Sequence, residues 1–207
     1  MGEAAEEMAR RNEIPREAQD AFAVRSHKNA AAALEAGKTG GDLVPVETPG
    51  GKWVHGDTLV RATTSVEQLA KLRPVFAKDG TLTAGNSTPL TDGAAACLVA
   101  SDEWARAQGL TPQCWIRDAH VAAVDFVHGE GLLMAPTIAV AEMLRRNGLT
   151  LQDFDVYEIH EAFAAVATTR APVAANGCPV ASDEPFGLIF AGSIAPSGAS
   201  RPRRVRQ

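Results

Sequence analysis

The sequence predicts an α/β protein in which helices cover both faces of a sheet. Three observations carry that expectation. Segments with strand character alternate with segments of helical periodicity along most of the 207 residues. Hydrophobic residues make up 45% of the chain and charged ones 22%, an ordinary balance for a chain long enough to bury a sizeable core in one or two domains. The short apolar run Val156–Ile159 passes directly into a helix of small residues, with His160-Glu161 at the turn. Such strand-to-helix junctions are where α/β proteins tend to bind ligands.

From the N-terminus, Gly2–Arg11 reads as a helix with acidic residues early and Arg10-Arg11 at its end, in keeping with the helix macrodipole. Asn12-Glu13-Ile14 breaks it. Pro15 suits a first helical turn, and helical character continues through Ala30-Ala31-Ala32-Ala33 to Gly37, a good stop signal. Alanine in such numbers predicts close helix packing. Arg25, Ser26, His27 and Lys28 read as a solvated face. From Lys38 to Gly56, Gly and Pro punctuate short apolar alternations, which predicts extended chain and one hairpin around Pro49-Gly50-Gly51. Ser65 is a natural N-cap for a short helix ending near Leu72-Arg73-Pro74.

A strand is then expected over Thr81–Ala84 and a buried one over Ala94–Ala100. The loop between them holds Gly85-Asn86-Ser87-Thr88 and Asp92-Gly93. Two readings fit this loop. It is a tight structural turn, or its short donors face a ligand, with Gly85 and Gly93 permitting close approach. Ser101 caps a helix running to Gln108-Gly109, and Trp115–Val124 has strand character. Pro136–Asn147 is an amphipathic helix with Ile138, Val140, Ala141 and Leu144 on its buried side, closed by Gly148. At the next junction His160-Glu161 admits two readings as well: a helix cap, or a site in which a neutral imidazole polarises a carbonyl or holds a water.

Charge and cysteine usage exclude several functions. The formal net charge of −5 offers no basic field for nucleic acid or an anionic membrane. The first 171 residues hold 16 Lys and Arg against 23 Asp and Glu, a net of −7, so a short basic tail follows an acidic body. Cys97, Cys114 and Cys178 have neither metal-ligand spacing nor even pairing, which points to a reducing compartment and to no metal site. The acidic N-terminus is unlike a secretory signal, and no run approaches a membrane span. The expectation is a cytoplasmic protein.

Five stretches, in matching order and approximate spacing, closely resemble the thiolases. They are Met1-Gly2 with its helix, Ile14–Ala23, Lys71–Phe76, Thr83–Thr88 with Asp92–Ala95, and His160-Glu161-Ala162-Phe163. His at position 160, where many thiolases carry Asn, is similar to the branch containing the trifunctional β-subunits and related bacterial acetyl-CoA acetyltransferases. The resemblance implies a five-layer αβαβα fold, present here in part. Residues 1–88 would be the later part of the loop domain, and 89–110 the last strand and helix of the N-terminal half. Residues 111–170 would start the C-terminal half, and 171–207 would be a divergent Pro- and Arg-rich tail.

It also implies a function: acetyl transfer between 3-ketoacyl-CoA and coenzyme A, in fatty-acid β-oxidation or acetoacetyl-CoA metabolism. In such enzymes a cysteine thiolate takes the acyl group and coenzyme A then removes it. A Gly-His-Pro histidine and a second cysteine move the protons. By the same resemblance His160 belongs to an oxyanion hole, supported by Glu161, and Asn86, Ser87 and Thr88 belong to the loop that contacts coenzyme A. Coenzyme A and acyl-CoA would be substrates, with no permanently bound cofactor. Partners would be further copies of the chain or a β-oxidation multifunctional subunit. The sequence departs from the family where the chemistry is densest. It has no Gly-His-Pro, no Cys-x-Gly-Gly-Gly, and no cysteine matching the nucleophile. The expectation is a thiolase portion inactive by itself. The alternatives are a coenzyme A-binding or assembly module of a split enzyme, and a truncated or frame-shifted product.

Overall fold

The computed structural model describes residues 1–39, 41, 43–129 and 131–168, with the backbone alone of 189–191. The expectations for Cys178, for Gly192–Ala195 and for the basic tail lie outside the described residues. Among these residues, 1–89 with 161–168 form one compact unit, and 90–160 with 189–191 form another.

The first unit begins with helix α1 (Gly2–Arg11). Ala5, Met8 and Ala9 recur at helical spacing and are fully enclosed. The helix stops at Asn12, whose side chain returns to the Met8 carbonyl, and Glu13 turns the chain with φ 52°. Pro15 then occupies the N-cap of α2 (Arg16–Glu35), which ends before Gly37 at φ 67°. The hairpin forms as the Pro49-Gly50-Gly51 signal predicts. Strand β1 (Val46–Glu47) pairs antiparallel with β2 (Trp53–Val54), and Gly51 supplies the positive φ of 77°. Ser65 caps α3 (Val66–Leu69) in a reciprocal capping box with Gln68. A last short helix of this unit, α6 (Ala164–Ala167), packs on α1 and α2 with all four residues buried. Residues this small allow the backbones to come close.

Three expectations for strands change, each for a physical reason. Thr81–Ala84 makes only an isolated bridge, Thr83 to Pro74. Its amides bond to side chains instead of a strand. Thr81 N and Leu82 N donate to the Glu6 carboxylate at 2.7–3.0 Å, and Thr83 N donates to Asn86 Oδ1 at 2.7 Å. Ala94–Ala100 forms no strand and is exposed, and Trp115–Val124 forms none either and is mostly exposed. A ladder needs a second backbone alongside, and none of the described residues lies there. Cys97 and Cys114, expected in or beside buried strands, are accordingly exposed.

In the second unit Ser101 caps α4 (Asp102–Ala107) by accepting from Trp104 N. Helix α5 (Ala135–Asn147) ends at Gly148 in the left-handed region, φ 60°. Val140 and Leu144 form its buried side with Leu151. Ile138, expected there, is 49% exposed. Strand β3 (Tyr157–Ile159) is half-exposed and pairs antiparallel with β4 (Ile189–Ala191), so the expected buried strand is an outer, antiparallel one. The two sheets seen among the described residues are both two-stranded.

Asp118 receives hydrogen bonds from Arg146 and Asn147, which hold its carboxyl at about 2, well below its ordinary 3.8. A depressed folded value means that the contribution is complete above about 3.8 and fades as pH falls towards 2. A carboxyl-carbon NMR titration should therefore place the Asp118 midpoint near 2, and Arg146→Ala should return it towards about 3.9. A midpoint unchanged by that substitution would rule out Arg146 as the main cause.

Candidate functional site

The residues singled out around 86–88 and 161–163 meet in the first unit. Ser87 forms an isolated antiparallel bridge with Phe163. Thr88 N donates to the Ala162 carbonyl at 2.9 Å, and Ala164 N donates to the Asn86 carbonyl at 2.9 Å. Phe163 is buried with its ring edge-on to Phe76, centroids 5.8 Å apart. The loop and the Ala162–Ala164 segment are thus one hydrogen-bonded piece.

That piece is set by a buried polar network centred on α2. Asp20, 1% exposed, accepts from Arg16 Nε at 2.7 Å and from Asn86 Nδ2 at 2.9 Å. Arg16 spans further, donating to the carbonyls of Leu69 at 2.6 Å and Leu72 at 3.2 Å. Beside them Gln19 donates to Thr81 Oγ1 and the Ile14 carbonyl. A carboxylate this enclosed is tolerable because a guanidinium and an amide satisfy it. Sequence reading missed Arg16, Gln19 and Asp20 as site-forming residues. Two signals were available: the three polar residues lie at helical spacing, and they fall inside the Ile14–Ala23 stretch that resembles the thiolases, a resemblance that gave them no role.

The three loop residues differ in what they present. Asn86 is 3% exposed, and its side chain is wholly engaged by Thr83 N, Asp20 and the Thr81 carbonyl. Ser87 Oγ is enclosed and makes no hydrogen bond among the described residues. Thr88 is exposed. Gly85 does make a close approach possible, but to protein: a Cβ there would lie 2.6 Å from Leu69 Cδ2 and from Leu72 Cδ1. A Cβ on Gly93 would meet none of the described residues within 4 Å beyond its chain neighbours.

At the junction, His160 is exposed and is the last residue of the second unit before the chain enters the first. Glu161 accepts from Ser26 Oγ. The capping reading of His160-Glu161 does not hold, because α6 starts only after Phe163 at its N-cap and has no side-chain cap bond.

The N-terminal thiolase domain model matches residues 1–103, and the C-terminal thiolase domain model matches residues 110–181. The chain is 43% identical over 167 residues to the 3-ketoacyl-CoA thiolase of Aeromonas salmonicida, covering 80% of this chain and 38% of that protein. It is 42% identical over 165 residues to the mitochondrial trifunctional enzyme subunit beta of Bos taurus, covering 79% and 34%. Among solved structures, the Bacillus anthracis acetyl-CoA acetyltransferase superposes with a TM-score of 0.71 at 40% identity, over 80% of this chain and 42% of that one. The human mitochondrial 3-ketoacyl-CoA thiolase gives 0.69 at 36% identity, over 78% and 41%. The architecture is thus α/β, a part of the thiolase fold. The chain belongs to the thiolase family. It spans less than two fifths of the length of these two curated relatives.

Proposed function

We propose that the chain forms the coenzyme A-facing part of a thiolase-type acyltransferase, which moves an acetyl group between 3-ketoacyl-CoA and coenzyme A. The observation that carries this reading is the hydrogen-bonded joining of Asn86–Thr88 to Ala162–Ala164, about 70 residues further on and directly after the His160-Glu161 pair that the family resemblance assigns to the active site. Thr88 would offer its exposed hydroxyl to the ligand, while Asn86 and Ser87 shape the loop beneath it. His160 would donate an imidazole N–H to the oxygen of the reacting carbonyl as negative charge develops there. Such a donor is typically worth about 3–4 kcal/mol of transition-state stabilisation.

The 207 residues contain no Gly-His-Pro histidine. The polypeptide by itself is therefore expected to bind coenzyme A without turning it over. Residues 1–88 serve in this reading as loop domain, and 111–170 as the start of the C-terminal half. The setting is the cytoplasm, with coenzyme A and acyl-CoA as diffusible substrates. The bovine relative's name makes it a subunit of a larger enzyme, and we extend association with further copies or a β-oxidation subunit to this chain. The exposed, unladdered apolar residues Leu98, Val99, Trp115 and Ile116 favour a second reading, an assembly module completed by another polypeptide.

Calorimetric titration with coenzyme A should show binding, and Thr88→Val should weaken it by about 0.5–1.5 kcal/mol. No heat of binding would remove the ligand reading. Loss of acetoacetyl-CoA absorbance with the purified chain alone would refute its inactivity.

A further inference from the structure

We propose that Ser26 is a positioning residue for the Glu161 end of this site, an inference that rests on the coenzyme A reading above. Ser26 lies on α2 and donates from Oγ to Glu161 Oε2 at 2.5 Å, across 135 residues of sequence. That is the short separation of a hydroxyl bonded to a carboxylate. It completes a series. Ala162 accepts from Thr88 N, Phe163 bridges to Ser87, and Ala164 N donates to the Asn86 carbonyl. Three of the four residues from Glu161 to Ala164 are therefore held by the loop, and among the described residues the fourth is held by α2.

Glu161 is the residue next to His160 and the first of the segment with which the chain rejoins the first unit. No helix cap accounts for it, since α6 begins beyond it without a side-chain bond. The neighbouring polar residue on α2 is otherwise engaged, His27 Nδ1 accepting from Arg61 N at 3.2 Å. Ser26 is the α2 side chain directed at this carboxylate. With the hydroxyl gone, the segment remains tied on the Thr88 side and swings free at Glu161.

The test is a double-mutant cycle in the whole 207-residue chain: Ser26→Ala, Glu161→Ala, the pair together, and Ser26→Thr, which retains a hydroxyl. Amide hydrogen exchange at Thr88 and Ala164 needs no ligand. Each single alanine substitution should speed it about tenfold, and the pair should do no more than either single, because both delete one interaction. Ser26→Thr should stay near the parent rate, and the Leu149 amide in the second unit should not change in any variant. Multiplying effects in the pair, or unaltered exchange in Ser26→Ala, would overturn the proposal.

Titration with coenzyme A is the second arm. Ser26→Ala should weaken binding about tenfold and Ser26→Thr should restore it. Equal affinity of Ser26→Ala and the parent chain would overturn the positioning role. A parent chain that does not bind coenzyme A would overturn the functional reading instead, and the exchange cycle would then decide by itself whether Ser26 holds Glu161.

Discussion

Asp20→Ala is expected to destabilise the first unit by about 3–5 kcal/mol, the usual consequence of removing one partner of a buried ion pair. The side chain of Asp20 is 2% accessible and that of Arg16 is 18%, so the orphaned guanidinium would stay largely away from water. Asn86 Nδ2 would also lose one of its two acceptors, keeping only the Thr81 carbonyl. The damage should spread along the network to the Leu69 and Leu72 carbonyls that Arg16 holds. Asp20→Asn keeps one acceptor oxygen for Asn86 but loses the charge and turns its NH2 towards Arg16 Nε. Because it leaves no cavity and keeps the Asn86 bond, it should cost less than Asp20→Ala. Urea unfolding, followed by NMR signals of Ala5 and Ala165, measures both. A loss below about 1 kcal/mol for Asp20→Ala would show that this network does not hold the loop.

Leu82→Ala is expected to cost about 3–5 kcal/mol, the upper part of the range for leucine truncation in a core. Leu82 is fully buried, and its backbone cannot settle into the space left behind. Its N–H is bonded to Glu6 Oε1 at 2.7 Å, and its carbonyl accepts from Val75 N at 3.0 Å. The volume-conserving Leu82→Met should cost less than about 1.5 kcal/mol. The same urea experiment separates the two. Equal, small losses for both variants would mean that the cavity collapses and that the loop backbone is not clamped.

The helices were legible because their signals are local. Pro15, Ser65, Ser101 and Gly148 act on the residues beside them, and each sits at the helix end where the chain predicts it. The hairpin at Gly50-Gly51 was legible for the same reason. Strand pairing was not. Thr81–Ala84 has strand-like composition, but a glutamate carboxylate 75 residues away takes the amides of Thr81 and Leu82. Nothing near Thr81 in sequence announces Glu6.

The family resemblance shows the same division. It marked Met1-Gly2, Ile14–Ala23, Lys71–Phe76, Thr83–Thr88 with Asp92–Ala95, and His160-Glu161-Ala162-Phe163, without the contacts that join them. In the structure the members in the first unit touch one another, while Asp92–Ala95 and His160 belong to the second unit and are exposed. The Phe76 ring lies where a side chain on Gly2 would be, 2.2 Å from a Cβ placed there. Phe76 meets Phe163, and Asp20 meets Asn86. Single members of this set carry almost no signal in isolation. Ser26 shows the limit most plainly: it reads as part of a solvated face, and only the folded chain brings Glu161 to it.

Helix α2 also acts as a ruler. Asp20 holds the loop and Ser26 holds the start of the Glu161 segment, six residues further on, or about 9 Å along the axis. Removing or adding one residue between them would rotate the serine by about 100° around the helix and shift it by about 1.5 Å, so both attachments could not be made together. Beyond His27 the helix is exposed or half-buried. Changes in chain length can be absorbed there. Within the span from Asp20 to Ser26 they cannot.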